Sequence, residues 1–134
     1  MNKFKLSIDK SQRLMSEDIE NISKDVFDEK LSQILNADEG SAILQKNNDS
    51  YLMFGVQDDQ AFVFYDPGSE GGNYLWLEGD DQNGAEEFLL FNIGGTESEI
   101  SKNRCISKQK MKQAIEYYYL NGDLVDNNWT IDNG

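Results

Sequence analysis

The chain has 134 residues, with 25 acidic and 12 basic side chains, a formal net charge of −13 at pH 7 and no histidine. Its length and its 38% hydrophobic content predict one globular domain over residues 1–134. The charge disfavours nucleic acid and anionic lipid as partners and favours basic proteins. The lack of histidine excludes the Ser-His and Cys-His nucleophile systems and most zinc sites.

Cysteine usage and the N-terminus predict a cytoplasmic location. Cys105 is the single cysteine, so it has no intramolecular disulfide partner. Residues 1–9 alternate apolar and polar side chains rather than forming a signal peptide, and no run approaches the ~20 apolar residues of a membrane span. Because no base is available to activate it, Cys105 itself is expected to be a small buried residue.

The first third of the chain predicts one strand and one helix. Residues 3–8 alternate, with Phe4, Leu6 and Ile8 on one face. Residues 11–21 are interpreted as a polar linker with some helical turn. A helix is expected from about Lys24 to Asn36, with Ser23 as its N-cap and its end at Gly40. Its apolar residues at helical spacing are Val26, Phe27, Leu31, Ile34 and Leu35.

The middle of the chain predicts closely spaced strands, beginning with residues 41–46. Turn residues at 47–49, 57–60, 66–68 and 79–84 separate them. The segment 86–93 is a further strand broken by Gly94-Gly95, and 99–106 is an additional edge strand. Connections this short cannot contain crossover helices, so the sheet is expected to be a mostly antiparallel meander.

The last third predicts a helix that returns the chain to the sheet. Ser107 caps this helix and Gly122 ends it, with Leu124 placed for the contact of a Schellman ending. Trp129 and Ile131 are expected to tuck back against the sheet. The predicted fold class is α+β: an antiparallel meander of about five to six strands, with an N-terminal and a C-terminal helix packed on it.

The negative charge is concentrated in residues 47–101, a window with no lysine or arginine. Its twelve carboxylates are Asp49, Asp58, Asp59, Asp66, Glu70, Glu78, Asp80, Asp81, Glu86, Glu87, Glu97 and Glu99. The remaining 13 acids and 12 bases nearly cancel, so the window carries −12 of the −13. Solubility explains an acidic protein, but it does not explain this segregation.

Residues 73–79 place aromatic side chains beside carboxylates. Alternation puts Tyr74, Trp76 and Glu78 on one face of a strand and Leu75 and Leu77 on the other. The leucines are the better candidates for the core, so Tyr74 and Trp76 are expected to face solvent or a partner. The competing interpretation packs that pair under a helix. Aromatic anchors within a charged rim are typical of protein–protein hot spots.

Two other uses of the carboxylates remain open. With Gly71 as the loop glycine of an EF-hand, Asp66 takes position 1, but Gly68 and Leu77 take positions 3 and 12, so the pattern fails. An irregular cation site in 66–73 or 78–87 belongs to the alternative function, a small acidic cation-binding or adaptor domain. A glycosidase-type pair such as Glu78 and Glu87 needs one acid in an apolar cleft, whereas most of these acids fall in polar turns. The leading expectation is no enzyme activity, no cofactor and no metal.

From Asn47 onward, about two-thirds of the chain, the order of features resembles the Imm1 family of bacterial immunity proteins. The residues that carry the resemblance are Gly55, Phe64-Tyr65-Asp66, Tyr74-Leu75, Gly79-Asp80, Phe91-Asn92, the helix from Ser107 to Tyr119, Gly122-Asp123-Leu124 and Trp129. The family often has a proline between that last glycine and the tryptophan, and residues 123–128 have none.

The resemblance implies a non-enzymatic toxin inhibitor that protects a cell producing a polymorphic toxin in bacterial competition. Its partner would be a cognate toxin domain with a basic surface, most often a nucleic-acid-directed deaminase or nuclease. Together with the charge pattern, this predicts binding through an acidic face comprising Asp66, Glu70, Tyr74, Trp76, Glu78, Asp80, Asp81, Glu86 and Glu87. Charge reversal at Glu78 and Asp80 is expected to slow association. The toxin's identity and the oligomeric state are not determined by the sequence, and a monomer is expected for the free protein.

Overall fold

The computed structural model describes residues 2–11, 14–79 and 86–132. Its strands are β1 (Phe4–Ile8), β2 (Glu17–Ile19), β3 (Glu39–Lys46), β4 (Tyr51–Gln57), β5 (Gln60–Asp66), β6 (Leu75–Leu77), β7 (Phe88–Ile93), β8 (Thr96–Ser101), β9 (Ile106–Ser107) and β10 (Trp129–Ile131). Its helices are α1 (Lys24–Leu35) and α2 (Lys108–Asn121). The predicted α+β class, with an antiparallel meander and two helices, is confirmed, and the strands outnumber the predicted five to six.

The main sheet has the strand order β10-β6-β5-β4-β3-β1-β2, and its neighbouring strands are antiparallel. β9 pairs with the start of β5 on the same edge as β6. Short turns join β3, β4 and β5 because Asn47, Asn48 and Asp58 adopt positive φ values of 51°, 58° and 55°. Asparagine and aspartate tolerate this backbone conformation better than other side chains, so the turns predicted at 47–49 and 57–60 form.

Both helices pack on one face of the main sheet and enclose the main core. This core contains Phe27, Leu31 and Ile34 from α1, Met111, Ala114, Ile115 and Tyr118 from α2, and Phe4, Leu6, Ile8, Ala42, Leu44, Leu52, Phe54, Val56, Ala61, Val63 and Leu77 from the sheet. The apolar stripe of α1 and the buried face of β1 are as predicted. Among the described residues, no helix is long and apolar enough to cross a membrane. The longer of the two helices, α2, has 14 residues.

The helix caps confirm the predicted boundaries, with one exception. Ser23 Oγ accepts a hydrogen bond from the Val26 amide at 3.4 Å. Ser107 Oγ accepts one from the Lys110 amide at 3.1 Å, and Gly122 has a φ of 69°. The expectation that Gly40 ends α1 is wrong. Gly40 lies within β3, where a Cβ would collide with the Leu14 side chain.

Two other segments differ from prediction. Residues 17–19 of the expected linker form β2. They do so because their backbone pairs with the outer edge of β1, where Ile19 lies opposite Leu6. The expected strand over 99–106 is divided: β8 ends at Ser101, a 3-10 turn covers Lys102–Arg104, and β9 follows. The division is needed because β8 pairs with β7 while β9 pairs with β5.

The C-terminal segment returns to the sheet as an added strand. β10 pairs with β6, with Trp129 opposite Leu77 and Ile131 opposite Leu75. Trp129 and Leu124 pack against the main core. Ile131 remains exposed, so only the tryptophan of the predicted pair is tucked against the sheet.

Candidate protein-binding surface

β7 and β8 form a separate two-stranded hairpin on the face of the main sheet opposite the helices. Gly94 and Gly95 form its turn with φ values of 58° and 87°, as two-residue hairpin turns of this kind require. The Gly94 amide donates to Ser41 Oγ at 3.1 Å, and Ser41 Oγ donates to Asp9 Oδ2 at 2.6 Å. These bonds attach the turn to β3 and to the residue that follows β1.

The inner face of the hairpin builds a second apolar cluster against the main sheet. The second cluster consists of Phe62, Trp76, Phe91, Ile100 and Cys105. Alternation along β5 explains why two cores meet at this strand: Ala61 and Val63 face the helices, whereas Phe62 faces the hairpin. The sheet is therefore covered on both faces in this region, by the helices on one side and by the hairpin on the other.

Trp76 belongs to this second cluster and is only 9% exposed. Its ring centroid is 4.9 Å from that of Phe64, and the guanidinium carbon of Arg104 lies 4.8 Å from the ring centroid. Neither predicted environment for Trp76 is correct, because the side chain is neither directed to solvent nor covered by a helix. Leu77 is fully buried in the main core, as predicted for that side of the strand.

Tyr74, Asp66 and Glu70 lie near one end of the sheet. Tyr74 is 51% exposed, so it is the member of the aromatic pair that a partner can reach. Asp66 ends β5 directly opposite Tyr51 on β4. Glu70 follows in a short 3-10 turn, with its carboxylate 3.6 Å from Lys46 Nζ.

Glu78, Glu86 and Glu87 lie toward the opposite end, because β6 runs antiparallel to β5. The Gly79 amide, next to Glu78, donates to the Asn103 carbonyl at 2.7 Å. Glu87 Oε2 lies 2.8 Å from Lys102 Nζ, and the hydrogen bond from Lys102 lowers the pKa of the Glu87 carboxyl. Asp80 and Asp81 are outside the described residues. The described members of the predicted site therefore fall into two groups separated by the buried Trp76.

The outer face of the hairpin carries exposed apolar side chains that sequence reasoning missed. We define the outer hairpin face as Phe88, Leu90, Glu97, Glu99 and Ser101. Phe88 and Leu90 are 54% and 49% exposed, and the register places Leu90 opposite Glu99 and Phe88 opposite Ser101. Glu97 and Glu99 are also exposed. The segment 88–91 is entirely apolar, so alternation gave no signal for which side chains face outward.

Neither a protein-family model nor a curated protein matches the chain.

The chemistry of the described acids and of Cys105 adds three observations. In residues 2–11, 14–79 and 86–132, no three or more His, Cys, Asp or Glu side chains are grouped so that they could hold a metal ion. Cys105 is buried, as predicted, and burial raises the pKa of its thiol to about 11. The lowered pKa of Glu87 is the reverse of what a general acid requires.

Proposed function

We propose that the protein is an immunity-type inhibitor, which binds the basic surface of a cognate bacterial toxin domain and blocks that toxin. The observation that carries this proposal is the outer hairpin face, where exposed Phe88 and Leu90 adjoin the carboxylates of Glu97 and Glu99. Apolar anchors beside charged residues have the composition of a protein–protein hot spot and its rim.

The charge around this face supports a basic partner. Strands β4 to β8 all lie within the window 47–101, so none of them contributes a lysine or arginine to the surface. Asp58 and Asp59, in the turn between β4 and β5, add further exposed carboxylates to this part of the molecule. A surface of one sign steers oppositely charged proteins, with association rates on the order of 10⁸ M⁻¹s⁻¹ at low salt.

The toxin class follows from the family resemblance combined with this surface. Enzymes that act on nucleic acid carry basic substrate clefts because their substrate is a polyanion. An acidic protein face can occupy such a cleft and compete with the nucleic acid. A standard interface of roughly 1,600 Å² would be enough for a stable complex.

The experiment begins at the open reading frame adjacent to the one for this chain, which the proposal expects to encode a large toxin with a variable C-terminal domain. That domain is expressed in a bacterial host with and without the inhibitor, and growth and complex formation are measured. We expect the inhibitor to restore growth and to co-purify with the domain. Failure of both would contradict the proposal.

A substitution pair then tests the surface. Phe88→Asp places a charge where an apolar anchor is expected, and its complex should be at least about tenfold weaker, which corresponds to about 1.4 kcal/mol. Leu120→Asp is the matched control, because Leu120 is an exposed apolar residue on α2, beyond the opposite face of the sheet, and the substitution makes the same change in charge. Equal effects of the two substitutions would show that the outer hairpin face is not the contact.

A further inference from the structure

A second exposed feature lies on the hairpin-bearing face of the main sheet, near the end formed by Asp66 and Tyr74. We define the aromatic patch as Tyr51, Phe64, Asp66 and Tyr74. Tyr51 is the cross-strand partner of Asp66, and Phe64 is two residues before Asp66 on the same face of β5. The rings of Phe64 and Tyr74 have centroids 6.0 Å apart and an interplanar angle of 33°.

The patch presents aromatic faces and one carboxylate without being closed over by the hairpin. Tyr51, Phe64 and Asp66 are half-buried, and Tyr74 is exposed. The pKa of Tyr51 is raised, first by burial and then by the nearby negative charge of Asp66. Asp66 therefore acts electrostatically on the surface that the aromatic rings form.

The neighbouring side chains show how this surface accommodates a cation. Arg104 lies over the ring of Trp76 at 4.8 Å, and its Nη2 is 3.8 Å from Asp132 Oδ1. Trp76 is two residues from Tyr74 and on the same face of the sheet. The guanidinium of Arg104 therefore already pairs with one aromatic ring, that of Trp76, and one carboxylate, that of Asp132, beside the aromatic patch. Arg104 is paired with Asp132, whereas the Asp66 carboxylate accepts from neutral donors, the Gly68 amide at 2.9 Å and the Tyr51 hydroxyl, so it can still attract an incoming cation.

We infer that the aromatic patch receives an arginine side chain of the partner, with the guanidinium stacked on Tyr74 and its charge facing Asp66. The inference rests on the proposed function, since the arginine would belong to the basic surface of the toxin. Guanidinium is favoured over ammonium because it is planar and weakly hydrated, and because it stacks on aromatic faces while bonding a carboxylate. The patch would thus determine the position at which the toxin docks, whereas the negative charge of the protein only attracts the toxin to this side of the molecule.

The first experiment tests the patch without the toxin. The isotopically labelled protein is titrated with N-acetylargininamide, and NMR shifts are compared with those caused by the neutral near-isostere N-acetylcitrullinamide. We expect saturable shifts at Tyr51, Phe64, Asp66 and Tyr74 with an affinity of roughly millimolar order for the arginine probe only. Tyr74→Ala and Asp66→Asn should each weaken binding by about two- to fivefold, the range for an exposed cation–π contact. Tyr117→Ala, an exposed tyrosine on α2, should leave binding unchanged.

The second experiment repeats the substitutions with the toxin domain, so that the two proposals can fail separately. The inference is overturned if the arginine probe gives no saturable shift up to about 100 mM, or if citrulline binds equally. It is also overturned if the toxin complex forms and is unaffected by both Tyr74→Ala and Asp66→Asn. If the probe binds the patch but the toxin domain does not bind at all, the proposed function fails while the patch remains a guanidinium site.

Discussion

The ring of Phe91 on β7 meets the ring of Phe62 on β5 edge to face, with centroids 5.2 Å apart and planes at 85°. Both side chains are fully buried, and they join the hairpin to the main sheet at the centre of the second cluster. Because the hairpin is not hydrogen-bonded into the main sheet as a strand, this packing supplies much of its attachment.

Phe91→Ala should therefore cost about 3–5 kcal/mol of unfolding free energy, the range for truncating a buried phenylalanine. Urea unfolding followed by circular dichroism measures the change. Phe88→Ala on the same strand is the control, and its effect should be within about 0.5 kcal/mol because that side chain is exposed. Comparable losses from both substitutions would contradict the assignment of inner and outer faces.

Cys105 provides a chemical probe of the same attachment. Burial raises the pKa of its thiol from 9.0 to about 11, while Lys102 acts in the opposite direction. At about pH 8, this leaves roughly 100-fold less thiolate than an unfolded cysteine would have. We expect DTNB to label the native protein at least about 100-fold more slowly than the urea-unfolded protein. Phe91→Ala should accelerate native labelling, and rapid labelling of the unsubstituted protein would show that the second cluster does not shield the thiol.

Local chemistry explains which parts of the fold were predictable. Ser23, Ser107 and Gly122 satisfy the backbone at helix ends, and the asparagine and aspartate turns need no distant partner, so these features can be identified in the sequence. The three residues of β2 carry no such signal, because they form a strand only by completing the edge of β1.

The candidate site was less predictable because it depends on packing between distant segments. Charge segregation in 47–101 is visible in the sequence, but the placement of its acids at two ends of the sheet follows from the register of β5 and β6. The burial of Trp76 depends on the second cluster, to which the hairpin that begins twelve residues later, at Phe88, contributes Phe91 and Ile100. The same hairpin exposes Phe88 and Leu90, which an unbroken apolar run could not reveal.

A buried hydroxyl pair offers a test on the opposite face of the sheet. Ser50 Oγ and Tyr118 Oη are 2.9 Å apart, and both residues are buried. Ser50→Ala leaves the phenol without this partner and should cost about 1–3 kcal/mol. Ser50→Ala combined with Tyr118→Phe should cost less than the sum of the two single substitutions, since both remove the same bond. A strictly additive cycle in urea unfolding would show that the hydrogen bond contributes nothing.

Tyr118 also predicts a dependence of stability on alkaline pH. Burial raises its pKa from 10.0 to about 12, with the hydrogen bond to Ser50 acting against the shift. Above pH 10 the unfolded tyrosine loses its proton before the folded one, so the unfolded state binds fewer protons and stability falls as pH rises toward 12. The stability difference between the unsubstituted protein and Tyr118→Phe should therefore be constant below about pH 9 and shrink above pH 10. A difference that stays constant through this range would contradict the shifted pKa.

The carboxylates of the outer hairpin face predict how association with the toxin domain depends on charge. Glu97→Lys with Glu99→Lys should lower the association rate constant by about tenfold or more at low salt, with a smaller effect at high salt, because exposed charges steer encounter and are screened. Stopped-flow measurements over a range of ionic strength give both the rate and its salt slope. The matched control is the exposed Glu29→Lys on α1, together with Asp25→Lys, which makes the same change in net charge on the helix side of the molecule. If both double variants slow association equally, net charge alone steers the partner, and the segregation of acids onto the hairpin side has no role in encounter.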